Sequence, residues 1–129
     1  NAIPIINEND TISTYEIKFG DNDTLSAVIA RITEADLLIM LTDIEGLYTD
    51  DPRKNKDAQI IHQVENINDV EGMAKETESN VGTGGMQTKI KAARHAIEKN
   101  IEVVIASGES MKTIRDIVNG EEIGTYFKC

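Results

Sequence analysis

The chain of 129 residues carries 13 Lys and Arg against 23 Asp and Glu. The resulting formal charge of −10 argues against non-specific attraction to nucleic acid or to an anionic membrane surface. Apolar and charged shares of 40% and 28% are those of an ordinary globular domain, and no apolar run approaches the roughly 20 residues of a membrane span. One cysteine, Cys129 at the last position, cannot staple a fold, so nothing marks a disulfide-bonded secreted protein and a cytoplasmic location is expected.

Asn1-Ala2 leads straight into Ile3-Pro4-Ile5-Ile6 with no initiator Met and no signal pattern, so the chain reads as opening in mid-protein. Ile3 to Ile6 predicts a short buried strand that Pro4 confines to a strand start or an edge. It ends in the polar run Asn7-Glu8-Asn9-Asp10. Ile12 to Phe19, rich in β-branched and aromatic residues, predicts a small hairpin. After Gly20-Asp21-Asn22-Asp23-Thr24, the spacing of Leu25, Val28, Ile29 and Ile32 predicts a helix. Asn22 or Asp23 can cap it, but two acids and an amide exceed what a cap needs. The run lacks the glycine and distal glutamate of a calcium-binding EF-hand.

Leu37-Leu38-Ile39-Met40-Leu41 is an unbroken apolar run, as expected of a parallel strand covered on both faces, and it stops at Thr42-Asp43. A turn at Glu45-Gly46 follows, and Asp50-Asp51-Pro52 reads as a solvated turn. Ile60 to Val64 predicts a strand with His62 on its surface, and Asn66 to Lys75 a short helix. Glu102 to Ala106 holds a second buried strand, Val103-Val104-Ile105. Ser110 is positioned to cap a helix carrying Ile114, Ile117 and Val118, which Gly120 ends. Gly124 to Phe127 predicts a terminal strand. Helices alternating with continuous apolar strands make an α/β sandwich with a mainly parallel sheet.

Gly82-Thr83-Gly84-Gly85-Met86-Gln87-Thr88-Lys89 places three glycines within four residues just ahead of the helical run Ile90, Ala93, Ile97. A glycine loop feeding a helix N-terminus brings unpaired N–H groups and the positive end of the dipole to one point, which favours an anion. Lys89 adds a full charge. A phosphate cradle and a plain flexible loop are both compatible with this run alone. It is neither a Walker A loop, because Thr88 and Ile90 flank the lysine, nor a dinucleotide fingerprint, because Gln87 stands where the third glycine belongs. Four polar clusters, Asn7–Asp10, Gly20–Asp23, Thr42–Asp43 and Thr83–Lys89, all fall at strand ends or helix starts. Such edges converge on one face of an α/β sheet.

Taken in order, these runs resemble the amino acid kinase family, and within it the branch that phosphorylates the side-chain carboxylate of L-glutamate. The matching stretches are Ile5-Ile6-Asn7-Glu8-Asn9-Asp10, Ile17-Lys18-Phe19-Gly20-Asp21-Asn22-Asp23, Leu41-Thr42-Asp43 with Gly46-Leu47-Tyr48-Thr49, Asp51-Pro52-Arg53, and Gly82-Thr83-Gly84-Gly85-Met86 with Thr88-Lys89. The resemblance implies a three-layer αβα sandwich, of which residues 1–129 are the C-terminal, nucleotide-binding half. It leaves no room for the RNA-modification-type domain that many members carry. It implies ATP as co-substrate with Mg²⁺, L-glutamate as acceptor, and the first step of proline biosynthesis. By position, Lys89 is then the lysine on the transferring phosphoryl group and Asp23 the acid that holds the catalytic lysines in place. Asp10 and Asn22 are the glutamate contacts. Thr42, Asp43, Thr83, Gly84, Gly85, Met86, Gln87, Thr88 and Lys89 are the nucleotide contacts. No residue is assigned as a metal ligand, and a homo-oligomer, dimer or tetramer, is expected. The alternatives are a sister kinase acting on N-acetylglutamate, aspartate, carbamate or UMP, and a non-catalytic nucleotide or amino-acid sensor with the same fold.

Overall fold

The computed structural model describes residues 3–7, 22–70 and 84–129. In chain order, helix α1 (Asn22–Ile32) leads into strand β1 (Leu37–Thr42), and β2 (Gln63–Val64) follows a long excursion. Helix α2 is described over residues 67–70. Helix α3 (Gly84–Ile97), strand β3 (Glu102–Ser107), helix α4 (Thr113–Val118) and strand β4 (Thr125–Phe127) complete the order.

The strands form one sheet in the order β1-β3-β4-β2. β1 and β3 run parallel, from Leu37 opposite Glu102 to Thr42 opposite Ser107. β4 is antiparallel to β3 and parallel to β2, so the sheet is mixed, with two parallel pairings to one antiparallel. Strand alternation divides the side chains between two faces. Val103, Ile105 and Phe127 join Ala27, Ile90 and Ala93 in the cluster beneath α1 and α3. Val104, Ala106 and Tyr126 join Ile117 of α4 on the other side. That is the three-layer sandwich expected, with β3, buried on both faces, at its centre.

Helices α1 and α3 pack on each other, and what they bury there is small: Ala27 and Ala30 on one, Ala92, Ala93 and Ala96 on the other. Alanines let helix axes approach closely. Both helices also stop in the same way. Glu34 and Asn100 take positive φ of 53° and 57°, while the N–H of Ala35 reaches the carbonyl of Ala30 and that of Ile101 the carbonyl of Ala96. These are the left-handed turns that satisfy a helix's last carbonyls.

Several expectations change. Ile3 to Ile6 is not a buried strand: Ile3 and Ile5 are 92% and 97% exposed, and residues 3–7 form no strand. An apolar run becomes a strand only when a neighbour pairs its backbone, and these residues instead border a groove of about 540 Å³ against Leu25, Ile29 and Leu37. The strand expected at residues 60–64 shortens to Gln63–Val64, preceded by an isolated bridge between Ile60 and Tyr48. Ser110 does not cap α4; Lys112 occupies the cap position without a side-chain cap bond, and Ser110 Oγ instead accepts the N–H of Lys112. Helix α3 begins at Gly84, so Gly84 to Lys89 form its opening turns and not a loop ahead of it. The hairpin expected over residues 12–19 lies outside the described residues, as does the helix expected beyond residue 70.

Candidate functional site

Both α1 and α3 end in tight turns that feed directly into the adjacent parallel strands β1 and β3. Each helix therefore runs back along the strand that follows it, and both N-termini arrive at the C-terminal edge of the strand pair. Thr42 and Ser107 close that edge, tied by the Gly108 N–H donating to the Thr42 carbonyl at 2.9 Å. Ligands gather at such edges in α/β sheets.

At the meeting of the two helix starts, Lys89 Nζ of α3 donates to both oxygens of Asp23 of α1, at 3.2 Å to Oδ1 and 3.1 Å to Oδ2. The side chains are 13% and 22% exposed respectively. Thr88 Oγ1 lies 2.7 Å from Asp23 Oδ2 and 2.9 Å from the Gly85 carbonyl. Asp23 stands in the first turn of α1, where the helix dipole favours a carboxylate. The pairing of Asp23 with Lys89, 66 residues apart in sequence, is the one the family resemblance implied.

The backbone N–H groups at the start of a helix have no partner within it, and Gly84, Gly85 and Met86 supply those of α3. A methyl group built on Gly85 would meet no atom of the described residues within 4 Å beyond its chain neighbours and its own helix backbone. Packing among the described residues therefore does not demand glycine there, and a bare backbone at a helix start is one that a ligand can approach closely. Met86 turns its side chain onto the core, which leaves its main chain for any contact with a nucleotide.

Thr42 and Asp43 lie at the same edge. Asp43 accepts from Thr42 Oγ1 at 3.2 Å and from Arg53 Nη2 at 3.1 Å. The Thr42 hydroxyl first, its own backbone N–H second and the Arg53 charge after them hold its carboxyl below the usual range. Arg53 sits on an arm that nothing local in the sequence revealed. The arm leaves β1, and the Leu47 N–H donates to the buried Thr125 Oγ1 at 2.8 Å. It closes at its base where the N–H groups of Ile61 and Thr49 reach the carbonyls of Leu47 and Gln59. At the tip, Asp51 Oδ1 accepts the Arg53 N–H at 3.0 Å. Asp50 accepts Asn55 Nδ2 at 2.9 Å, the larger cause, ahead of the Asp51 N–H, of a carboxyl shifted down. The Asp50-Asp51-Pro52 run is thus the turn it was expected to be, and it turns Arg53 back onto Asp43. The sequence signal for this was Arg53 inside the matching Asp51-Pro52-Arg53 run. For Thr125, 78 residues from Leu47, there was none.

Asn22 opens α1 next to Asp23 and lines the groove that Asn7 also borders. Asp10 and Thr83 lie outside the described residues. Among the described residues no three His, Cys, Asp or Glu gather where they could hold a metal ion.

The layers and their order are those of solved phosphotransferases. UMP kinase from Bacillus anthracis superposes with a TM-score of 0.67 over 88% of this chain and 43% of that one, at 23% identity. Carbamate kinase from Giardia lamblia, bound to AMP-PNP, gives 0.64 over 84% and 35%, at 22% identity. At such identities the likeness establishes a shared fold. The chain belongs to the amino acid kinase family, whose model matches residues 1–107. It is similar to the glutamate 5-kinase of Carboxydothermus hydrogenoformans, 52% identical over 127 residues that make up 98% of this chain and 34% of that protein. It is also similar to the glutamate 5-kinase of Clostridium tetani, 50% identical over 129 residues, 99% of this chain and 48% of that protein. The chain spans between a third and a half of these relatives.

Proposed function

We propose that these residues are the C-terminal, nucleotide-binding half of an amino acid kinase domain. The whole protein then transfers the γ-phosphoryl group of ATP to the side-chain carboxylate of L-glutamate, giving L-glutamyl 5-phosphate for proline biosynthesis in the cytoplasm. The observation that carries the reading is the Lys89–Asp23 pair where two helix N-termini meet. The names of the half-identical relatives supply the acceptor.

The chemistry suits that cast. A glutamate carboxylate is already ionised near neutral pH, so no general base is required. The difficulty lies in bringing one anion against a polyanion, and phosphoryl transfer is mostly positioning and charge neutralisation. Lys89 takes the transferring phosphoryl group, the N–H groups from Gly84 to Met86 cradle phosphate oxygens, Gln87 lies beside the nucleotide, and Asp23 holds Lys89 on target. Thr42, Asp43 and Thr83 complete the nucleotide side, with Asp10 and Asn22 on the glutamate side. Mg²⁺, arriving with the nucleotide, would neutralise phosphate charge; it is held in such sites by phosphates, waters and one or two carboxylates, so a dedicated cluster of protein ligands is not a requirement.

The test incubates the full-length protein with ATP, Mg²⁺ and hydroxylamine and measures hydroxamate from the trapped acyl phosphate, offering glutamate, N-acetylglutamate and aspartate in parallel. Product from glutamate alone is expected. Lys89→Ala should cut turnover by about 100-fold or more with little change in nucleotide affinity. Product from another acid would move the assignment to a sister kinase. No product from any acid would favour a sensor or a kinase with a nucleotide acceptor.

A further inference from the structure

The Thr88 hydroxyl has a single proton, and its two partners among the described residues only accept: Asp23 Oδ2 at 2.7 Å and the Gly85 carbonyl at 2.9 Å. An ionised carboxylate is the stronger acceptor and takes the shorter bond. That proton is therefore committed within the protein, and a nucleotide phosphate, itself only an acceptor, has no donor left to claim. Asp23 Oδ2 meanwhile receives Lys89 Nζ at 3.1 Å, so Thr88 and Lys89, neighbours on α3, grip one carboxylate of α1. A β-branched side chain in a helix has few rotamers, which makes Thr88 a stiff brace between the two helices.

We propose that Thr88 is a positioning residue for phosphoryl transfer: it acts through Asp23, fixing the carboxylate that aims Lys89, and does not bind the nucleotide. This deepens the kinase reading and rests on it. With the carboxylate free to rotate, Lys89 loses its aim in the transition state, whereas nucleotide binding through the α3 backbone is untouched.

The experiment compares Thr88→Val, which keeps the shape and loses the hydroxyl, with Thr88→Ser, which keeps the hydroxyl, in the full-length enzyme. Thr88→Val should lower kcat by about 10- to 100-fold, the scale of a misplaced catalytic group, with KM for ATP within about twofold. Thr88→Ser should recover most of the rate. In an Asp23→Asn background, Thr88→Val should cost little more, since the group it acts through is already altered. A raised KM for ATP with kcat retained would overturn the proposal and return Thr88 to the nucleotide contacts, as would a Thr88→Ser enzyme as slow as Thr88→Val. If the wild-type protein phosphorylates no acid, the kinase reading fails separately. The brace is then read from urea midpoints of Thr88→Val, Asp23→Asn and the double variant: non-additive shifts support it and additive shifts overturn it.

Discussion

Gly85 stands at the mouth of α3 with open space beside it, and Lys89 one turn on is nearly covered. On the proposed reading the two divide the labour of a phosphate site: bare backbone to approach, and one aimed charge. Gly85→Ala tests the first part. Alanine in a helix is more stable than glycine by about 0.5–1 kcal/mol, so the variant should unfold at a higher denaturant midpoint while KM for ATP rises. A variant with unchanged KM would remove the backbone of α3 from the nucleotide site. Across the molecule, the Tyr126 hydroxyl donates to Glu102 Oε1 at 2.7 Å. That bond and the nearby carboxylate hold the phenol up to about 12 against its ordinary 10.0. A raised pKa means the bond's contribution is complete below pH 10 and is lost as pH climbs towards 12. The phenolate absorbance that disappears in Tyr126→Phe should therefore arise only near pH 12, and in Glu102→Gln it should arise closer to 10.

At the scale of elements, α1 and α3 owe their placement to small residues on their shared face and to a common way of stopping. Asn100 tolerates its positive φ, because its side chain is short and polar. Glu34 carries a φ of 53° without that excuse, and such a residue costs about 1 kcal/mol or more. Glu34→Gly should stabilise the protein by about 0.5–1 kcal/mol in chemical denaturation; a destabilised variant would mean that the Glu34 side chain contributes more than its backbone strain costs. The start of β4 shows the opposite economy. At Gly124 the φ is +75°, and a Cβ would lie 2.2 Å from the Ile105 carbonyl, so the backbone of β4 approaches β3 where only glycine fits. Beside it Thr125, fully buried, anchors the arm that carries Arg53 to Asp43.

For the whole molecule, the outer edge of β1 has no strand partner among the described residues, although β1 is as apolar as β3. The groove beside it, with exposed Ile6 at its rim, is open as well. Unpaired apolar edges invite association, and in relatives two to three times longer there is additional chain to cover such an edge. The 129 residues alone should therefore bind a hydrophobic dye and self-associate, and release no ADP in response to glutamate. Full-length protein should bind less of the dye and release ADP in response to glutamate. Glutamate-dependent ADP release by the 129 residues would overturn the half-domain reading. No helix among the described residues is long and apolar enough to cross a membrane.

Much of this was legible in the chain because it is local. Continuous apolar runs such as Leu37 to Leu41 mark strands covered on both faces, 3.6-residue spacing marks α1 and α3, and the glycine run before Lys89 marks where α3 starts. The placing of the Thr42-Asp43 edge could be anticipated from the polar clusters at strand ends, and the association of Asp23 with Lys89 from the family resemblance. Other features depended on partners that no local pattern names. The run Ile3 to Ile6 has the composition of a buried strand, yet pairing decides strands, and it is exposed. The Leu47 N–H finds Thr125 across 78 residues, Arg53 returns to Asp43 only because the arm bends, and the Thr88 hydroxyl meets Asp23 only because alanines let two helices come close. Periodicity and composition determined the layers and the place of the site. Contacts over long sequence separations, which depend on the sum of all the packing, decided which side chains act on one another within it.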